Sequence, residues 1–333
     1  MSKQFILDAF DLKQVDRVPV GFWWHYTKPE EWTAKQGDPE LFRKAYEGHR
    51  DYVKDVGIDL LKVMPDGFVV LPNLEGVDIL DEEQLNNVKP ADPHDIYYED
   101  QVRLIKKLMA DIQDKAAVFP TLFSPYYYLV FAQFRQNGKE DTDEKLALAV
   151  KKHPEALKRV VDVIAQDLIT LSKRLLTEGG ADGIFYAVHK IHTISKEEFE
   201  KVFFPAEKLI AEEIAAVRNY TILHVCGDSG KPNDFSYYAD YPYKALNYSV
   251  DNESLSLKEA KEKFPDKVIL GGFSDKLGTT LYTGSKEEIQ AKTRKLIAEA
   301  GRDRSSLGAD CGLKAEAISN ERISWVKEIA DTL

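Results

Sequence analysis

The sequence predicts a single-domain (β/α)8 TIM barrel spanning residues 1–333. Eight short apolar runs, rich in β-branched residues, alternate with longer amphipathic helical stretches along the chain. A length of 333 residues suits one closed barrel of eight such units. No glycine-rich phosphate loop follows the first run, which weakens an open dinucleotide-binding sheet as the alternative.

The runs follow in order. Val18–Trp24 precedes the helical stretch "PELFRKAYEGHRDYVKDVG". Ile58–Met64 precedes "IYYEDQVRLIKKLMADIQ". Ala116–Phe123 runs into "SPYYYLVF", and "PEALKRVVDVIAQDLITLSKRLLTEGG" then predicts a helix long enough to overhang the barrel. Gly183–Val188, Tyr220–Cys226, Ala245–Val250 and Lys267–Ser274 are the next four runs. "SKEEIQAKTRKLIAEAG" is helical, and Ser305–Leu313 is the eighth run. Strand followed by helix, repeated in this way, implies parallel strands joined by right-handed crossovers.

Composition narrows the partners. The net charge of −11, from 45 basic and 56 acidic residues, argues against a nucleic-acid surface and against acidic docking partners. The first twenty residues lack an apolar leader, and no apolar run approaches the roughly 20 residues that span a bilayer. The expectation is a cytoplasmic protein with no membrane contact, monomeric or homodimeric. Only two cysteines occur, at positions 226 and 311. In a reducing compartment such a pair reads as buried thiols, catalytic thiols or metal ligands.

In barrel enzymes the active site lies at the C-terminal ends of the strands. Polar residues collect at those ends here: His25, Asp66, His189, His192, His224, Cys226, Asp251, Ser274, Asp275, Asp310 and Cys311. His224 and Cys226 stand two apart on a predicted strand, so they share one face. Cys311, at the end of the last strand, reaches the same point from across the ring. A Cys2His set with an open fourth position is a catalytic zinc arrangement. The competing reading is two thiols packed as small hydrophobes beside a core histidine. Gly227 and Gly312 each follow a cysteine, which leaves space for a ligand or marks a turn. A thiolate-rich zinc suits a soft ligand, and a coordinated thiol is held as the reactive thiolate. Thiol alkylation fits such a centre better than amide hydrolysis.

"LHVCG", the segment from Asn247 to Ile289, and "LGADCGL" together resemble the uroporphyrinogen decarboxylase superfamily. The closer likeness is to its corrinoid:thiol methyltransferase branch, and it extends from "DRVPV" to "CGL". The resemblance implies a (β/α)8 barrel and a zinc ion held by His224, Cys226 and Cys311. It also implies a small thiol substrate, and a corrinoid (cobalamin) methyl donor or acceptor carried on a partner protein. Trp24, Tyr126 and Tyr127, with Trp23 and Tyr128, are the candidates for an apolar surface that receives the flat corrinoid. Aromatic packing at the barrel lip is the other reading of these residues.

The decarboxylase branch is the alternative. Its arginine-rich motif corresponds here to "PVGFWWHYTKPEEW", with Trp24 and Lys28 standing in the arginine positions. Loss of bidentate guanidinium groups disfavours a substrate bearing many carboxylates. The pyrrole-binding aspartate of that branch has a counterpart, Asp66 in "GIDLLKVMPD", although "PDG" also makes an ordinary turn. Its tyrosine corresponds to Phe131. The superfamily also places a site aspartate near Asp251. Asp66 and Asp251 are therefore the candidate catalytic carboxylates. The sequence leaves three functions open: zinc-dependent methyl transfer to or from a thiol, tetrapyrrole decarboxylation, and non-catalytic binding of a thiol or tetrapyrrole.

Overall fold

The computed structural model describes residues 3–32, 36–137, 142–188, 193–227 and 232–333. Eight strands form the sheet: β1 Val20–Gly21, β2 Leu60–Val63, β3 Ala117–Phe123, β4 Ile184–Val188, β5 Thr221–Val225, β6 Ala245–Tyr248, β7 Val268–Phe273 and β8 Ser305–Ala309. All pair in parallel, in the order β1-β8-β7-β6-β5-β4-β3-β2. The ring closes between β1 and β2 through Asp59. Its amide donates to the Val20 carbonyl at 2.9 Å, and its carboxylate accepts from the Val20 amide at 2.9 Å. Arg17 holds that carboxylate with two hydrogen bonds, of 2.8 and 2.5 Å. The predicted (β/α)8 barrel is the observed fold.

Each strand lies inside the run read from the sequence. The runs overshoot because apolar residues continue into the mouth loops after ladder pairing has stopped. β1 has two residues, yet pairing resumes at the mouth, where Trp24 bridges Leu313 and the Leu313 amide donates to the Trp23 carbonyl at 2.9 Å.

Alternation along the strands sorts the core into two layers. Leu60, Met64, Phe119, Phe185, Ile222, Ala245 and Leu270 fill the lumen, and Ile6 and Phe10 of the helix Gln4–Phe10 pack with them. Leu61, Val63, Leu223, Val225 and Ile269 face the surrounding helices. Each such side chain contributes about 1.5–3 kcal/mol when fully buried.

Two helices position the mouth loops. Pro39–Val56 is capped by Asp38, whose carboxylate accepts from the Glu40 and Leu41 amides, and it stops at Gly57 in the left-handed region. Its His49 is fully buried. Nδ1 donates to the Ala45 carbonyl at 2.6 Å, and Nε2 accepts from the Met64 amide at 2.8 Å. Burial lowers this imidazole to about 4, so it stays neutral and pins the end of β2. Pro154–Thr177 is indeed long, at 24 residues. Its length serves a docked loop: Asp167 accepts from Asn73 at 2.7 Å and from the Ala91 amide at 3.0 Å. Among the described residues no helix is long and apolar enough to cross a membrane.

Candidate metal centre at the barrel mouth

His224 is the fourth residue of β5, in phase with the lumen residue Ile222. Cys226 lies one position past the strand, and Cys311 two positions past β8. Their ligand atoms, Nε2 or Nδ1 of His224 and the two Sγ atoms, all lie within 4.8 Å of one another. The Cys311 sulfur is 3.8 Å from His224 Nε2. A tetrahedral zinc with ordinary Zn–S and Zn–N bonds sets ligand atoms about 3.6–3.8 Å apart. The three side chains fit that ion with small adjustments.

The histidine is prepared for this role. Its Nδ1 lies 2.5 Å from the Asn247 side-chain oxygen. The Asn247 amide nitrogen donates to the Leu270 carbonyl at 2.9 Å and to the Ala309 carbonyl at 3.0 Å. Those carbonyls fix which end of the amide faces His224. The oxygen must therefore accept, Nδ1 must carry the proton, and Nε2 presents its lone pair to the cysteines. Asn247 is fully buried on β6, directly beside His224 in the parallel register.

The Cys226 backbone is clamped from two sides. Its amide donates to the Val188 carbonyl at 3.1 Å, and its carbonyl accepts from the Asn233 side chain at 3.2 Å. Glu253 holds Asn233 in turn, accepting from its amide nitrogen at 2.6 Å and from its side chain at 2.5 Å. Gly227 makes room for this bracket, since a Cβ there would stand 2.6 Å from a Glu253 carboxylate oxygen. Gly312 differs, because a Cβ there would meet no atom within 4 Å. The open space expected beside the cysteines thus lies at Gly312, whereas Glu253 fills it at Gly227.

Charge in the site favours thiolate. A hydrogen bond from Cys226 leads in holding Cys311 well below the ordinary thiol range; burial opposes this, while His224 and Lys62 add to it. Half-buried Asp275 is pushed up by burial and then by the Cys311 charge. Asp310 is buried and accepts from the Val250 amide at 3.0 Å and the Gly272 amide at 3.3 Å, joining β7 and β8 to the segment after β6.

A family model described as uroporphyrinogen decarboxylase (URO-D) matches residues 62–317, which include all three candidate ligands. The chain belongs to the uroporphyrinogen decarboxylase family. Among solved structures, a methyltransferase from Methanosarcina mazei aligns at 18% identity with a TM-score of 0.71, covering 99% of this chain and 98% of that one. A B12-independent methionine synthase from Shewanella sp. W3-18-1, in complex with selenomethionine, aligns at 13% identity and TM-score 0.58, over 95% and 97% of the two chains. A putative vitamin-B12-independent methionine synthase from Listeria monocytogenes aligns at 13% and 0.58, over 96% and 99%. At these identities the likeness is one of fold. No curated protein matches the sequence.

Within this family fold the remaining expected residues lie outside the metal cluster. Asp66 is fully buried, and its two oxygens accept from His25 Nδ1 and, at 3.0 Å, from the Tyr26 amide. Burial alone would raise this carboxyl. The His25 hydrogen bond and charge, with His49 and the Tyr26 amide, outweigh it and hold the group below its usual range. His25 stacks on Trp32 with ring centroids 3.8 Å apart. Asp66 thereby ties the β1 and β2 loops together. Asp251 is exposed and lines a separate cavity of about 630 Å³ beside Lys258, Lys292 and Asp310.

The aromatic residues expected at the rim are mostly buried. Trp24 packs outward on Tyr52 at 4.5 Å, and Trp23 packs inward on Phe185 at 5.2 Å. Tyr126 is buried and donates to Asp143 at 2.6 Å, and Tyr128 is buried as well. Alternation sends the two tryptophans to opposite faces of the sheet, so neither forms a surface. Tyr127 alone of the five is only half-buried, stacked on Phe131 at 5.4 Å. His189 and His192 lie outside the described residues. Asn247, Lys62 and the Asn233–Glu253 bracket were not singled out from sequence. Asn247 and Lys62 each carried a signal, being polar and in phase with lumen residues on otherwise apolar strands.

Proposed function

We propose that this protein is a zinc-dependent methyltransferase that moves a methyl group between a corrinoid, held on a partner protein, and a small thiol. The observation that carries the reading is the convergence of His224 Nε2 with Cys226 and Cys311, the histidine tautomer being set by Asn247. Family membership supports it, as does full-length likeness in fold to the Methanosarcina mazei methyltransferase. The two methionine synthases of similar fold are a further support.

Three protein ligands leave a fourth position for a substrate sulfur. Bound there, zinc supplies the positive charge that favours the thiolate form of a coordinating thiol. Cys226 and Cys311 keep the centre electron-rich, so an incoming sulfur stays nucleophilic. Asn247 fixes the ring of His224, and Glu253 and Asn233 fix the Cys226 turn. In the proposed transfer the sulfur electron pair forms the S–C bond. A methyl corrinoid would supply the methyl group and would keep the Co–C electron pair, and the thiol proton would go to solvent. Next to Cys311, a Cβ at Gly312 would meet no atom within 4 Å, which leaves room beside that ligand for a small substituent.

Decarboxylation of a tetrapyrrole is the weaker reading, because Asp66 spends both oxygens inside the protein and Trp24 and Lys28 replace guanidinium groups. The test is an absorbance assay with methylcobalamin, a panel of small thiols, and zinc-loaded and zinc-stripped protein. The zinc-loaded protein should give cob(I)alamin and a thioether, and the stripped protein should not. Equal background demethylation by both, with every thiol and with the cognate corrinoid protein, refutes the methyltransferase reading and favours a binding protein.

A further inference from the structure

A single lysine stands among the lumen residues of β2. Lys62 lies in phase with Leu60 and Met64, both lumen residues, and is only 7% exposed. Its ammonium is 3.5 Å from the Met64 sulfur, 4.5 Å over the Phe185 ring and 5.4 Å from the Trp23 ring. Among the described residues it forms no ion pair. Asp66, whose charge it feels, is already engaged by His25 and Tyr26. The rings offset part of the cost of burying an ammonium, but a fold rarely retains an unpaired buried cation without a use for it.

Its position suggests the use. Phe185, which carries the ammonium on its face, also lies 5.5 Å from the ring of His224, so Lys62 and this candidate metal ligand pack on the same lumen side chain. Burial lowers Lys62 to about 8, and the charges of Cys311, Asp66 and Cys226 oppose that fall.

We propose that Lys62 is the counter-cation of the metal centre and selects an anionic sulfur ligand over a neutral one. The inference rests on the zinc reading of His224, Cys226 and Cys311. Two thiolates and a divalent ion sum to zero charge. A substrate thiolate brings the centre to −1, and Lys62 restores neutrality inside a low-dielectric lumen. A thioether product carries no charge and gains nothing from Lys62. The lysine therefore favours exchange of product for substrate at the same position. It acts as a positioning charge rather than as a catalytic residue.

The experiment replaces zinc with cobalt(II), whose absorption reports both metal uptake and sulfur coordination, and titrates 2-mercaptoethanol and its S-methyl ether. Lys62→Met keeps an unbranched side chain between Trp23 and Phe185, and Lys62→Gln serves if the methionine variant does not fold, as judged by thermal melting. The uncharged variant should take up cobalt at least as tightly as wild type, since a like charge has been removed. It should bind 2-mercaptoethanol about tenfold more weakly, with no change for the thioether. Lys62→Arg should recover most of the thiol affinity. Unchanged thiol affinity, equal loss for thiol and thioether, or loss of the metal itself would each overturn the inference while leaving the zinc reading intact. Wild-type protein that takes up neither cobalt nor zinc would remove the zinc reading and the inference together.

Discussion

His224 gives its Nδ1 proton to Asn247 across 2.5 Å, and Asn247 spends both of its own amide hydrogens on the carbonyls of Leu270 and Ala309. One side chain on β6 thereby links four adjacent strands, β5 to β8, and sets the imidazole tautomer. Asn247→Leu should lower zinc affinity about 10–100-fold, read by competition with a chromophoric chelator. It should also cost about 2–4 kcal/mol in denaturant unfolding, because a buried ring nitrogen and two carbonyls lose their partner. Wild-type zinc affinity in that variant would show that the tautomer is set by something else.

Cys226 and Cys311 bring the two sulfur atoms of the candidate centre. Protein purified without chelator should carry about one zinc per chain, with sulfur scatterers near ~2.3 Å in X-ray absorption. Cys226→Ser and Cys311→Ser should each lower the zinc content sharply. Full occupancy in the double variant would refute the assignment.

The two glycines that follow the cysteines should respond in opposite ways. Gly227→Ala forces a methyl group against the Glu253 carboxylate and should break the Glu253–Asn233–Cys226 bracket, lowering zinc affinity. Gly312→Ala meets open space and should leave zinc affinity unchanged, since no atom lies within 4 Å of its Cβ. Equal effects at the two positions would mean that the bracket does not hold the ligand loop.

Asp66 has its carboxyl held below the ordinary range, so its folded form binds its proton less readily than the unfolded chain does. Its stabilising contribution is complete above the unfolded value near ~3.9 and is lost as pH falls through the lower folded value. Asp66→Asn should destabilise the protein by about 2–3 kcal/mol at neutral pH, and the gap to wild type should narrow below pH ~4. A gap that widens on acidification would contradict the assigned pairing with His25.

Uroporphyrinogen III should not be decarboxylated efficiently, since neither Trp24 nor Lys28 offers the bidentate guanidinium geometry suited to its carboxylates. Chromatography of the product porphyrins checks this. Efficient formation of coproporphyrinogen would reverse the order of the two enzyme readings.

Much of the architecture was legible in the chain itself. Apolar runs with strand periodicity marked all eight strands, because a parallel barrel strand is covered on both faces and must be apolar nearly throughout. The same period put His224 and Cys226 on one face, and the scarcity of cysteine drew attention to Cys311. Strand ends were less legible, since nothing local distinguishes the last paired residue from an apolar residue in a mouth loop. What only the tertiary structure decided were relations between strands far apart in sequence. It buried Trp24 and Tyr126 in packing and engaged Asp66 with the loop before it. It also set Asn247 against His224 and brought Lys62 and His224 onto the same ring, Phe185. Period and composition determine which face a side chain takes. They do not determine which neighbour it meets there, because that depends on how the ring closes and on the register of each strand against the next.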